Sequence, residues 1–283
     1  MSRPVVVQNC RIRILAALPL GESESTHNPP PRNLEMTQVR DHRETALPEV
    51  VLFDAGGTLF QVKEPVGFVY AAIAEDFGWK LDAVQVQVAF KLAWAAMPGL
   101  WGGVGESDPE KDWWAMLVRR VLGESGVPDP GTGFPEYFER LWGHYASADA
   151  WTLYPEVMTV LGALAPNHRL GVISNFDSRI FPLLEGLGIA DCFEAVTISS
   201  RVGVRKPDPV IFEAALRAHG VPASRALHVG DEPEADWAGA ARSGLRWFEL
   251  RRPQITLADL LVHMGVRQDE KATGFRSHSE KND

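Results

Sequence analysis

Five short apolar runs constrain this chain most: VVLF at Val50–Phe53, then RLGVISN, EAVTIS, ALHVGD and LRWFEL, all after residue 168. Each is built mainly of branched or aromatic residues, the texture of parallel strands covered on both faces. Helical patterns separate the later runs, at 179–187, 209–219 and 236–243. The second of these opens on Pro209, a residue the first turn of a helix accepts. Strand and helix in alternation predict an α/β fold, a doubly wound and mainly parallel sheet with a Rossmann-like core.

Residues 65–150 break the rhythm. VGFVYAAIAEDFG, LDAVQVQVAFKLAWAAM, EKDWWAMLVRRVLGESG and FPEYFERLWGHYA read as helices, punctuated by Gly and Pro at PGLWGGVGESDP and VPDPGTGFP. Those loops, 99–108 and 129–134, are candidate lids or hinges. Six of the nine tryptophans fall here (Trp79, Trp94, Trp101, Trp113, Trp114 and Trp142), and core packing of a small bundle is expected of them, ahead of an aromatic substrate cage. The expected plan is therefore an α/β core at 48–64 and 151–266, split by a helical domain at 65–150. Residues 1–47 are polar, Pro-rich and without periodicity, so a disordered leader is expected, with a targeting peptide or a start at Met36 as alternatives. Residues 267–283 are expected to be a disordered tail.

Charge and cysteine usage exclude several classes. A net charge of −9 opposes binding to nucleic acid, whose phosphates are met by clustered Lys and Arg; the pairs Arg119-Arg120 and Arg251-Arg252 stand isolated. Cys10 and Cys192 provide neither a disulfide framework nor a metal-ligand pair, which fits a reducing compartment. No apolar run approaches a membrane span, and 14–20 is short for a secretory core. A cytoplasmic monomer or homodimer with no membrane partner is expected.

In open α/β sheets, ligands bind beyond the carboxyl ends of the strands. Those positions hold Asp54-Ala55-Gly56-Gly57-Thr58, Ser174-Asn175, Lys206, and Gly230-Asp231 with Asp236 five residues on. Each type has a task around a phosphate. A carboxylate is a nucleophile toward phosphorus. Mg²⁺, which prefers hard oxygen ligands, and a lysine would offset the repulsion between that carboxylate and a phosphate dianion. Pro207 keeps Lys206 out of a helix. Thr58 and Ser174 offer hydroxyl donors, and the glycines admit an anion to backbone N–H groups.

FDAGGTL, VISN, RKPDPVIF and HVGDEPEADWAGAARSG, in that order, resemble the four motifs of the haloacid dehalogenase superfamily, most of whose members are Mg²⁺-dependent phosphatases. The helical insert sits where one branch of that family carries a cap over its active site. The resemblance implies Asp54 as nucleophile, Lys206 as the charge-stabilising lysine, and phosphate contacts from Ala55, Gly56, Thr58, Ser174 and Asn175. It implies a metal site of Asp54, the Gly56 carbonyl, Asp231 and Asp236, the last acting through water or as partner of the lysine. Asn175 reads equally as a helix or turn cap. His228, inside a strand, is expected in the core, and Glu232 and Glu234 as charges on the approach to a helix.

One position departs from the pattern. Phosphatases of this family carry a second aspartate two residues after the nucleophile, which protonates the leaving oxygen and then activates water. Here the residue is Gly56. General acid–base help contributes about 10²–10⁴-fold, so three readings remain. The first is a hydrolase of phosphates with good leaving groups, acyl or aryl, or one that borrows an acid. The second is dehalogenase or phosphonate chemistry on Asp54, the latter needing a cap lysine among Lys63, Lys80, Lys91 and Lys111. The third is a binding protein that keeps the anion pocket. The first is favoured because the rest of the set is present.

Overall fold

The computed structural model describes residues 47–97 and 108–266. The expected leader and tail, Cys10, Trp101 and the loop through residue 107 lie outside these residues. In chain order come β1 (Val50–Phe53), β2 (Phe60–Val62) and four helices, α1 (Val66–Glu75), α2 (Ala83–Ala96), α3 (Pro109–Glu124) and α4 (Phe134–Ala146). β3 (Trp151–Leu153), α5 (Val157–Leu164), β4 (Arg169–Ser174), α6 (Ile180–Gly186) and β5 (Ala195–Ile198) follow. The chain then forms α7 (Ser199–Val202), α8 (Pro209–His219), β6 (Ala226–Gly230), α9 (Gly239–Arg242), β7 (Arg246–Glu249) and α10 (Leu257–His263).

The main sheet has the order β5-β4-β1-β6-β7, and every pairing in it is parallel. β1 lies in the centre, with Val50 opposite Arg169 of β4 on one side and Ala226 of β6 on the other. Its side chains divide between two cores. Val51 and Phe53 pack with α5, α6 and α10, while Val50 and Leu52 pack with α8 and α9. Both faces are covered, which is why the strand is apolar throughout. α8 is closed at both ends: Asp208 Oδ1 accepts from Val210 N at 2.9 Å, and Gly220 ends it at φ 64°.

Four features differ from the pattern expected of the sequence. α5 and α10 were not foreseen, being short and apolar for much of their length, although Thr256 and Asp259 form a capping box at the start of α10. β2 and β3 pair as an antiparallel ribbon, Phe60 opposite Leu153, and three residues carry too little period to announce a strand. The chain leaves the core through β2 and returns through β3. The helix expected at 236–243 starts instead at Pro233 as a π-helical turn through Ala238. Trp237 Nε1 reaches the Gly230 carbonyl at 2.9 Å and the Asp236 side chain folds back to Glu232 N at 3.0 Å, so the turn is wound wide to aim Asp236 inward.

Helices α1–α4 build their own core around Tyr70, Trp113, Leu117 and Tyr137. Asp82 and Asp108 cap α2 and α3, and Tyr137 Oη donates to the Tyr70 carbonyl at 3.0 Å. Among the described residues, no helix is long and apolar enough to cross a membrane.

Candidate active site

Asp54 directly follows β1, and its amide donates to the Val229 carbonyl at 2.8 Å, extending the pairing with β6 by one residue. The chain then turns sharply: the Ala55 carbonyl accepts from Leu59 N at 2.8 Å and Gly57 N reaches the Phe60 carbonyl at 2.9 Å. Gly57 has φ 86°, and a Cβ there would lie 2.5 Å from Asp231 Oδ2, so only glycine serves. Arg252 holds the turn from behind, donating to the Gly57 carbonyl at 3.2 Å, the Thr58 carbonyl at 2.9 Å and Glu156 Oε1 at 2.6 Å. Its role was not legible in the sequence, where Arg252 reads as half of an isolated basic pair.

Lys206 is almost fully buried between two carboxylates, with Nζ 2.6 Å from Asp54 Oδ1 and 2.6 Å from Asp236 Oδ1. Asn175 clasps its backbone, accepting from Lys206 N at 2.7 Å and donating to its carbonyl at 3.1 Å. Asn175 therefore ties the end of β4 to the Lys206 loop and does not cap a helix. His228, expected as core packing, is fully buried, but its Nε2 lies 2.8 Å from Asp236 Oδ1. Both oxygens of Asp236 are thus engaged by protein groups, Oδ2 by Glu232 N. Asp236 stands as partner of the lysine.

Burial pushes the Asp54 carboxyl up to about 7, with Asp236 and Asp231 adding to the rise and Lys206 opposing it. Burial raises Asp231 too, together with the charges of Asp236 and Glu232. Burial would also raise Asp236, but Lys206 and the His228 hydrogen bond overcome it and hold that carboxyl below its usual range. Burial alone would lower Lys206; its two carboxylates outweigh this and keep it charged.

Asp54, Asp231 and Asp236 bring one ligand atom each within 4.8 Å of one another. Lys206 pairs with Asp54 and Asp236 but not with Asp231, so the three carboxylates carry more negative charge than the one buried lysine offsets, and this charge adds to the burial that raises Asp54 and Asp231. Hard oxygen donors with uncompensated charge fit a divalent cation such as Mg²⁺. All three keep lone pairs for such an ion, since even Asp236 Oδ2 accepts a single hydrogen bond, from Glu232 N.

A cavity of about 390 Å³ opens over this floor. Asp54, Gly56, Ser174, Asn175, Lys206 and Asp236 form its polar end. Ala55, Thr58 and Asp231 are not part of its wall; Thr58 is fully buried and its hydroxyl donates to Asp231 Oδ1 at 3.3 Å. The opposite wall is aromatic and comes mainly from α1–α4, including Tyr70, Phe90, Trp94, Trp114, Phe138 and Trp142. The expected core packing of the tryptophans is seen for Trp113, 4% exposed, and for Trp79, Trp94, Trp114 and Trp142, which pack partly buried against the same core, and the last three also line the cavity. Periodicity cannot separate a core-facing from a cavity-facing side of a helix when both are apolar. Of the lysines considered in the insert, Lys91 reaches the wall, and Lys111 pairs instead with Glu139 at 2.8 Å. The candidate hinge near 129–134 forms a 3₁₀ turn, Gly131–Gly133, leading into α4.

The two halves are joined beside the cavity. Trp114 Nε1 donates to Asp177 Oδ2 at 2.8 Å, and Glu110 accepts from Ser178 N at 3.0 Å and Ser178 Oγ at 2.9 Å. Arg179 lies over the Trp142 ring at 3.9 Å and the Trp114 ring at 4.7 Å, with Asp177 neutralising it.

Comparison with known proteins agrees with this arrangement. Residues 48–244 match the family model of haloacid dehalogenase-like hydrolases. Haloacid dehalogenase-like hydrolase domain-containing protein 3 of Danio rerio is 34% identical over 205 residues, covering 71% of this chain and 84% of the relative. Among solved structures, a HAD phosphatase from Thermococcus onnurineus shares the fold at TM-score 0.55 and 22% identity, over 77% of this chain and 98% of its own. An L-2-haloacid dehalogenase from Xanthobacter autotrophicus with chloropropionic acid covalently bound shares it at TM-score 0.54 and 21% identity, over 78% and 85%. With family motifs, sheet order and relatives in agreement, the chain belongs to the haloacid dehalogenase-like hydrolases.

Proposed function

We propose that this protein hydrolyses phosphate esters or acyl phosphates through a phosphoryl group carried transiently on Asp54, with Mg²⁺ as cofactor. One observation carries the reading: the cavity opens onto a carboxylate whose Oδ1 is 2.6 Å from a buried lysine that a second carboxylate holds in place. Lys206 occupies one oxygen of Asp54 and offsets charge as phosphate approaches. The other oxygen attacks phosphorus, and the ester oxygen departs with its bonding pair. Water then attacks the phosphorus and restores the carboxylate. Ser174, at the end of β4, donates to a phosphoryl oxygen, while Asn175 fixes the position of Lys206. Asp54, Asp231 and Asp236 would hold Mg²⁺, which would supply the positive charge that a phosphate dianion needs to approach a carboxylate. The substrate is a small anion, the net charge of −9 disfavours nucleic acid, and cysteine usage supports a cytoplasmic setting.

Gly56 favours a second reading, a member that binds a phosphate ligand and turns it over slowly, because no side chain there moves a proton. Dehalogenase chemistry is less well supported: three carboxylates around one lysine suit a metal-assisted phosphoryl transfer better than a metal-free displacement. The deciding experiment measures phosphate release from a panel of esters and acyl phosphates with Mg²⁺ or chelator, and chloride release from 2-chloropropionate. Phosphate release that needs Mg²⁺ and vanishes in Asp54→Asn is expected. Tight phosphate binding without turnover would favour the second reading, and metal-independent chloride release would overturn both.

A further inference from the structure

Two observations at opposite ends of the cavity point the same way, one about the shape of the leaving group and one about its chemistry. At the far end, Phe90 and Trp94 stack with centroids 6.2 Å apart, and Trp94 meets Trp114 at 5.6 Å. Trp142 and Phe138 continue that surface, and Trp151 and Phe176, 5.9 Å apart, line the side nearer the ribbon. Such a wall recognises a flat ring by offset stacking and edge contacts, and it offers little to the hydroxyls of a sugar or a glycerol. Arg179 adds to this, since its Nε and Nη2 are held by Asp177 at 2.9 and 2.7 Å and its plane lies over the Trp142 and Trp114 rings. Lys91 brings a second cation to the lining, from an exposed stretch of α2. The volume of about 390 Å³ suits a single small molecule.

At the near end, Gly56 lines the cavity beside Asp54 and carries no proton donor. An alkoxide leaves phosphorus slowly without an acid, whereas an aryloxide, whose conjugate acid has a pKa of about 10 as for tyrosine, leaves without one. We infer that the substrate is an aryl phosphate monoester, its ring against the aromatic wall and its phosphoryl group on Asp54. This rests on the phosphate-hydrolase reading above. The Asp54 oxygen forms a bond to phosphorus, the phosphorus–aryl oxygen bond breaks, and the electron pair leaves on the aryloxide. Water then attacks the Asp54 phosphoryl group, giving inorganic phosphate and the free carboxylate, and the proton released passes through solvent to the aryloxide.

The test compares phenyl, benzyl and n-propyl phosphates on the full chain with Mg²⁺. Benzyl phosphate keeps the ring but leaves as an alkoxide, so it separates recognition of the ring from leaving-group chemistry. Phenyl phosphate is expected to exceed n-propyl phosphate at least 100-fold in kcat/KM. Benzyl phosphate should match phenyl phosphate in KM and fall below it in kcat. Among ring-substituted phenyl phosphates, kcat should rise steeply as the phenol becomes more acidic, and Gly56→Asp should flatten that slope. Phe90→Leu and Trp142→Leu should each raise KM for phenyl phosphate about tenfold, more than for n-propyl phosphate. Mg²⁺- and Asp54-dependent turnover in which n-propyl phosphate comes within threefold of phenyl phosphate overturns the inference and leaves the phosphate-hydrolase reading standing. Absence of turnover for every ester overturns the inference, and absence of turnover for acetyl phosphate as well overturns both.

Discussion

His228 Nε2 lies 2.8 Å from Asp236 Oδ1, the same oxygen that accepts from Lys206 at 2.6 Å. The histidine comes from the interior of β6 and fixes the carboxylate that fixes the lysine. Groups one step removed from such a site typically contribute about 10–100-fold to activity. His228→Leu is expected to lower kcat about tenfold with little change in KM, and His228→Gln, which keeps a donor, to recover part of the loss. Equal loss in both variants, with a matching loss of folded protein, would assign His228 a packing role only.

Gly56 has room for a larger side chain. No heavy atom lies within 4 Å of a Cβ built there, and Gly56 is not among the residues with positive φ. Gly56→Asp should therefore fold normally and place a proton donor beside the nucleophile. A gain of about 10²-fold in kcat/KM on alkyl phosphates is expected, with a much smaller gain on aryl phosphates. Steady-state kinetics on both classes decide it.

Asp177 and Arg179 form a buried pair, with side chains 0% and 10% exposed. Asp177→Ala strands the guanidinium between two tryptophan rings and removes the acceptor of Trp114 Nε1. Breaking a buried pair on one side costs about 3–5 kcal/mol, and urea unfolding should show a loss of that order. The double change Asp177→Leu with Arg179→Met should recover most of it, because no charge is left unpaired.

Glu156 gives the protein an acid-sensitive joint. Burial raises its carboxyl, but backbone hydrogen bonds and Arg252 outweigh this and leave it below its usual 4.5. A carboxyl depressed by folding stabilises the fold above its unfolded value and ceases to do so as pH falls through its folded value. The Glu156 contribution is thus complete above about pH 4.5 and lost below it. Wild type should show a steeper fall in Tm below that pH than Glu156→Gln, which starts lower and changes less.

The sheet was readable because β1, β4, β5 and β6 are almost wholly buried and mostly apolar up to their ends, while the edge strand β7, only partly covered, still shows the apolar pair Trp247-Phe248. Much of the site was readable for a related reason: Asp54, Ser174 and Asp231 stand where apolar runs stop, and chemistry-bearing residues there are conspicuous, while Lys206 stands out before a proline in the loop after β5. His228 and Arg252 were not, since each acts through a contact formed only in three dimensions. Arg252 meets the Gly57 carbonyl across 195 residues of chain, and nothing local to RRP announces it. The aromatic wall was hidden differently, because Trp94 and Trp142 look the same in sequence whether they face a helix or a cavity. The ribbon of β2 and β3 lacked the length to show a period, and the π turn at 233–238 resembled an ordinary helix start.

The central position of β1 has a consequence for how the molecule is made. The ribosome delivers the nucleophile strand before the other core strands, yet Asp54 meets Lys206 only 152 residues later and Arg252 reaches the Gly57 carbonyl 195 residues later. At ~5–20 residues per second, that second interval lasts ~10–40 s. Within it, β1 lacks its neighbours β4 and β6 until residues 169 and 226 are reached, and pairings this distant in sequence form slowly. The polar centre is complete in sequence by Asp236, but the arginine that braces the Asp54 turn is added sixteen residues later, so that brace is the last part of the site to be made.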